Sequence, residues 1–128
     1  MRISTIPAAV AALALASMAC GGDRSEVRDF DPGPTPMAYI PGEAMYTGSC
    51  ALCHGPNAIG NEKGPPLVNV IYEPNHHGDF SFHRAVELGV APHHWNFGPM
   101  PPVEGLTPDQ VDEIISYIRW LQRQAGIF

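Results

Sequence analysis

The sequence predicts an all-α domain, and three observations predict it. Apolar residues recur at helical spacing near the C-terminus behind a complete helix start signal, and no run of alternating β-branched residues is present to build a sheet. The third is Cys50-Ala51-Leu52-Cys53-His54, the CxxCH spacing by which a c-type haem is attached to a polypeptide. Together they predict three to four short helices around one covalently bound haem.

The motif's spacing follows from its chemistry. The two thiols add across the two vinyl groups of haem, and the following histidine, His54, is presented to the iron as proximal ligand. Cys-x-x-Cys also serves zinc sites and thiol redox centres. A structural zinc site wants four ligands, and the one cysteine outside the motif is the distant Cys20. His76-His77 and His93-His94 offer nitrogens, but adjacent side chains do not converge easily on one tetrahedral metal. A thioredoxin-like centre needs a strand before the motif and a parallel sheet around it, and neither is readable.

Residues 1–19 read as a secretory leader: Met1-Arg2, an apolar run from Pro7 to Leu15, then Ser17-Met18-Ala19. That run is too short to span a bilayer. Cleavage before Cys20 would leave an N-terminal cysteine followed by Gly21-Gly22-Asp23, which resembles a bacterial lipoprotein site. Ser17 stands where such sites carry a larger aliphatic residue, so ordinary cleavage after Ala19 remains open. Lipidation of Cys20 would account for an otherwise odd secreted thiol, since Cys50 and Cys53 are taken by haem. Residues 20–37 then read as a flexible tether, rich in Gly, Pro and charge. Removing Arg2 with the leader leaves 6 of the 7 basic residues against 13 acidic ones, a mature charge of −7. This balance argues against a nucleic-acid or anionic-lipid binder.

Residues 38–128 form one domain without internal repeat. A protein-only core of this size is marginal, and a buried haem supplies apolar mass that a chain with 14 Pro and 13 Gly lacks. The first helix is expected over Pro41–Ala51, with proline in its first turn. A short middle helix is expected over Phe80–Leu88, capped by Asp79 or Ser81 and stopped by Gly89. The last carries Thr107 as N-cap, Pro108 at the first helical position, Asp109 near the positive end and Gln110 completing a capping box. Leu106 and Val111 are spaced for a hydrophobic staple. Val111, Ile114, Ile115, Ile118 and Leu121 then line one face.

At this level the chain resembles the monohaem class I c-type cytochromes across nearly the whole domain. Gly42, Tyr46 and Cys50 stand at that family's Gly-x3-aromatic-x3-Cys spacing, and the resemblance implies that Gly42 and Tyr46 cross the C-terminal helix near Ile114 and Tyr117. Gly64-Pro65-Pro66-Leu67 looks like the family's Gly-Pro turn. There a backbone carbonyl, placed on Pro65 with Pro66 as alternative, accepts the Nδ1 hydrogen of His54. Pro99-Met100-Pro101-Pro102 sits where the family carries its distal ligand, so the resemblance implies Met100 as the sixth ligand. Met37, in the tether, and Met45, on the first helix, are poorer candidates.

The remaining histidines compete for the same position. His76 and His77 read as solvated in a Pro/Asn/Gly turn, His83 lies on the polar face of the middle helix, and His93 or His94 would make a bis-His alternative. Trp95 matches the tryptophan of small bacterial relatives whose indole N–H points toward a haem propionate, with aromatic core packing as the alternative. Those relatives also carry an Asn shortly after the Met-Pro-Pro run, where this chain has Val103. Trp120 reads as core packing or a docking surface.

The resemblance implies a single-electron carrier in place of an enzyme, exported to the periplasmic side of a bacterial membrane. Its partners would be a quinol-oxidising complex and a terminal oxidase or periplasmic oxidoreductase, with the domain either mobile on its tether or a fixed subunit. If Met100 were labile, the same protein would instead be a small-ligand sensor or peroxidase-like enzyme. A third possibility is an assembly module whose haem is structural. Lys63 is the only lysine, so a lysine ring for docking is absent, and the surface expected is a match for a basic partner patch or an apolar contact.

Overall fold

The computed structural model describes residues 30–128; the leader, Cys20 and the first part of the expected tether lie outside them. Four α-helices follow in order: α1, Ile40–Ser49; α2, Ala51–His54; α3, Asp79–Leu88; and α4, Pro108–Gln124. Single 3-10 turns cover Met37–Tyr39, Pro56–Ala58 and Val70–Tyr72. Among the described residues there is no strand, only two isolated bridges, Asn61 with Gly64 and Val90 with Met100. The fold is the all-α fold expected. The tether, however, does not stay free of the domain to Met37: Phe30 packs against the core and Met37 opens a 3-10 turn.

α1 begins with Pro41 in its first turn, where a missing N–H costs nothing. The single helix expected to run through Ala51 instead breaks at Cys50 (φ −122°, ψ −35°) and restarts as α2. The Cys50 N–H still donates to Tyr46 O at 2.8 Å, while its carbonyl accepts from Cys53 N at 3.1 Å and His54 N at 2.9 Å. The CxxCH segment is thus one separate helical turn, which puts Cys50, Cys53 and His54 on the same side.

α3 differs at its start. Gly78 is the N-cap, and neither Asp79 nor Ser81 caps it. The Ser81 hydroxyl donates backward to Gly78 O at 2.7 Å, and the Asp79 carboxylate accepts instead from Arg119 Nε at 2.8 Å. Gly89 terminates α3 at φ +73°, a conformation that favours glycine. The start of α4 is as expected: Thr107 N–H donates to Gln110 Oε1 at 2.9 Å and Gln110 N–H to Thr107 Oγ1 at 3.3 Å, the two halves of a capping box.

α1 and α4 make the principal helix crossing, and it depends on Gly42. A Cβ at that position would collide with the Glu113 carbonyl and lie 3.0 Å from Tyr117 Cβ. The close approach brings Tyr46, 1% exposed, against Tyr117 with ring centroids 5.6 Å apart. The Tyr46 hydroxyl is satisfied by donating to Gly55 O at 2.8 Å. Ile114 is buried in the same core cluster as Tyr46 and Tyr117. Trp120 is core, stacked between Tyr39 and Tyr117 at 5.7 and 5.9 Å. Burial raises the Tyr46 phenol well above its ordinary value, and burial followed by the Glu43 charge pushes Tyr117 up to about 12. The unfolded chain therefore releases these protons first. Folding stability is expected to be intact below pH ~10 and to fall as pH rises through it, which chemical denaturation at pH 8 and 11 will read.

The buried polar centre lies on α4. Arg119, 6% exposed, donates to Tyr72 O (2.6 Å), His77 O (2.6 Å), Gln122 Oε1 (2.7 Å) and Asp79 Oδ1 (2.8 Å), and its guanidinium sits 4.9 Å from the Phe82 ring centroid. Gln122, wholly buried, adds a bond from Nε2 to Leu67 O at 2.8 Å. Arg119 and Gln122, whose Nε2 also donates to Tyr72 O at 3.1 Å, together tie the 70–79 segment to α4. Arg119→Met removes the Arg119 bonds and leaves the His77 carbonyl without its partner, while Tyr72 O keeps Gln122, at a cost of about 2–3 kcal/mol. Urea denaturation of the haem-loaded protein is expected to show that loss.

Candidate functional site

An apolar cavity of about 530 Å³ lies between α4, α3 and the loops on either side of α3, within the ~300–1,000 Å³ range of small-molecule and cofactor sites. Its walls include the Ile114, Ile115 and Ile118 side chains of α4, Phe82, Ala85 and Val86 of α3, and Leu67. Cys50, Cys53, His54, Pro65, Trp95 and Met100 all line it as well.

Each of these residues is positioned by its local backbone. Cys50 is the N-cap of the separate turn α2 and His54 is its last residue. His54 Nδ1 lies 2.9 Å from Pro65 O; since a carbonyl only accepts, Nδ1 carries the hydrogen and Nε2 keeps its lone pair. Burial lowers the His54 pKa, opposed by the bond to Pro65, so the ring is neutral near pH 7 and fit to ligate. Burial, then the neighbouring Cys53, pushes the Cys50 thiol up to about 11. Cys50 is therefore an uncharged thiol in an apolar wall, where it would hold a haem vinyl carbon as a thioether. The turn after the motif is closed by Gly64, where a Cβ would lie 2.6 Å from Cys53 O.

Met100 is held from the other direction. It pairs with Val90, each N–H donating to the other's carbonyl at 2.9 Å, and Val103 N–H donates to Val86 O at 2.8 Å. The loop carrying Met100 is therefore fastened to the end of α3 at two points. At Gly89 a Cβ would lie 2.5 Å from Met100 O in a backbone conformation unfavourable to other residues. Gly89→Ala is expected to push this loop off its pairing and slacken whatever bond Met100 makes. The check is the reduced-minus-oxidised spectrum and the Tm, with Gly98→Ala, which meets nothing within 4 Å, as a control for positive-φ strain alone.

Trp95 bears on what the cavity receives. Its Nε1 is buried without a hydrogen-bond partner, an arrangement that costs about 1–3 kcal/mol unless a bound group accepts the proton. The indole lowers the pKa of the Tyr72 phenol somewhat against the larger upward effect of burial, but no well-directed hydrogen bond joins the two. An apolar slot with two thiols, a neutral imidazole, a thioether and a buried unpaired donor fits a haem.

Sequence reasoning did not anticipate the Arg119–Gln122 centre or the meeting of the histidine pairs. His77, His93 and His94 border the cavity beside Trp95, and the ring centroids of His93 and His94 lie 4.3 Å apart, those of His77 and His94 5.2 Å. Desolvation, then the charges of His93, His77 and His76, lowers the His94 pKa. The two dipeptides, read separately as solvated turn residues and competing ligands, form one cluster. His83 is apart from it, with Nε2 2.7 Å from Asp112 Oδ1.

Comparison with known proteins adds one finding. A family model described as Cytochrome c matches residues 39–122. No curated protein and no solved structure matches the chain. The match spans most of the chain, from the turn before α1 through nearly all of α4, and the CxxCH turn lies inside it. The chain therefore belongs to the cytochrome c family and binds haem c covalently.

Proposed function

We propose that this protein is a single-electron carrier whose haem iron is held between His54 and Met100, with Cys50 and Cys53 as the thioether residues. Haem c supplies a one-electron ferric/ferrous couple. The chain's own residues do the rest. His54, oriented by Pro65, offers Nε2 to the iron. Met100 offers a soft neutral thioether that favours the ferrous state, and prolines 99, 101 and 102 stiffen its loop. Trp95 donates its unpaired N–H to a propionate. The apolar walls exclude water, which lowers the charge reorganisation accompanying each transfer. The observation that carries the reading is that His54 and Met100 line one apolar cavity together with both thiols. An iron with both axial positions filled has none left for substrate.

The test is a potentiometric titration of the haem-loaded protein combined with cyanide addition to its ferric form. A reversible one-electron transition and slow cyanide binding are expected. Rapid cyanide binding at neutral pH would move the weight to a sensor or peroxidase-like enzyme.

Export through the leader, anchoring to the periplasmic side of the membrane by lipid on Cys20, and residues 20–29 as the remaining tether complete the proposal. Its partners are redox proteins of a respiratory chain, a quinol-oxidising complex on one side and a terminal oxidase or periplasmic oxidoreductase on the other. The acidic surface and single Lys63 suit a basic partner patch, while exposed Phe97 at the cavity edge offers an apolar contact. Transfer rates that fall with added salt support the first; a flat response favours the second, and a rise excludes the first.

A further inference from the structure

We propose that His76, His77 and His94 form a binding site for a divalent transition-metal ion at the edge of the haem cavity. The ligand atoms these three residues can offer all lie within 4.8 Å of one another. Nitrogens bound at ~2.0–2.1 Å around a tetrahedral ion stand about 3.4 Å apart, so small side-chain rotations close the site. His76 and His94 are exposed and His77 is half-buried, which leaves a solvent path for an ion.

The donors are already oriented. His77 Nδ1 lies 2.7 Å from Ile71 O, so it carries the hydrogen and leaves Nε2 as the ligating atom, the arrangement by which a carbonyl commonly orients a metal-bound histidine. His93 is held the same way, Nδ1 to Ala91 O at 2.9 Å. Its ring packs on His94 at 4.3 Å and on His77 at 5.9 Å and so borders the three donors.

Both supporting segments are fixed. His76 N–H and His77 N–H donate to Glu73 O at 3.0 and 2.8 Å, and buried Arg119 clamps His77 O at 2.6 Å. On the other side, the Val90–Met100 pairing closes the loop that carries His93 and His94. The ordering cost of binding is therefore largely met by folding. A set of imidazoles with no carboxylate selects zinc, copper or nickel over magnesium or calcium.

The probe is Zn²⁺, titrated calorimetrically into metal-free, haem-loaded protein. One ion per chain is expected, with affinity reduced about tenfold or more in His76→Ala and in His94→Ala and unchanged in His83→Ala. The haem absorption spectrum is expected to stay the same in every variant and throughout the titration, which certifies folding and separates this site from axial ligation of the iron. Cu²⁺ is expected to give an electron paramagnetic resonance signal with nitrogen hyperfine structure that His94→Ala alters. Absence of binding, an affinity that His76→Ala and His94→Ala leave unchanged, or an equal loss in His83→Ala would overturn the proposal. So would a haem spectrum that shifts with zinc, because these histidines would then be iron ligands.

Discussion

Met100→Ala is expected to abolish the far-red ferric iron–thioether band and lower the reduction potential, by a tenth to a few tenths of a volt out of the ~0.8 V that axial ligands command. Alanine removes the thioether while the Val90 pairing, a backbone contact, keeps the loop in place. The change is therefore local to the iron. Loss of a neutral soft donor destabilises the ferrous state most, which gives the direction of the shift. The opened position admits water or an exogenous ligand, so cyanide should bind faster to the variant than to the native protein. Met45→Ala, on α1, serves as the control and should leave both band and potential unchanged. A band that persists in Met100→Ala would assign the sixth position to another methionine, and its absence from the native protein would point to His93 or His94 on the cavity wall.

Gly42→Val carries the largest expected effect on the fold. A side chain at residue 42 meets the carbonyl of Glu113 and the Tyr117 Cβ, and both belong to the middle of α4 and cannot swing aside. α1 must then move away, loosening the buried contact between Tyr46 and Tyr117 and the Tyr46 bond to Gly55. Overpacking alone costs about 1–3 kcal/mol, and the lost contacts add to it. A total of about 3–5 kcal/mol is a large share of the ~5–15 kcal/mol that holds a small domain together. Thermal melting of the haem-loaded variant should fall by about 12 °C or more. Gly48→Ala, on the same helix but facing open space, should be neutral or slightly stabilising. If the two variants melted alike, close packing at the α1–α4 crossing would not be what Gly42 supplies.

The sequence revealed different elements to different degrees, for physical reasons. α4 was readable because its cap, its first-turn proline and its apolar periodicity are all local and agree. The gap at Cys50 was not, since no residue propensity marks it and the helical pattern runs on through it. The start of α3 moved to Gly78 because a partner 40 residues away, Arg119, draws off the Asp79 carboxylate that would otherwise have capped it. Nothing local marks Arg119 and Gln122 as buried, because the segment carrying Tyr72 and His77 that folds over them is distant in sequence. Phe30, among prolines and charges, gave no sign of packing on the core.

The candidate site divides the same way. Cys50, Cys53 and His54 announce themselves because their chemistry demands a fixed local spacing. Pro65, Trp95 and Met100 carry no such signature; resemblance to a family pointed to them, and the structure brings them to the cavity that holds the motif. The histidine cluster escaped because its members come from two loops on either side of α3. Only the tertiary fold brings them together.

The absorption spectrum of the native haem-loaded protein, first oxidised and then reduced, tests the central claim most directly. A low-spin ferric spectrum with the far-red thioether band, giving a sharp ferrous α band on reduction, is expected of iron held between His54 and Met100. A high-spin ferric spectrum would contradict it, because an open iron position is incompatible with the closed electron carrier proposed for this fold.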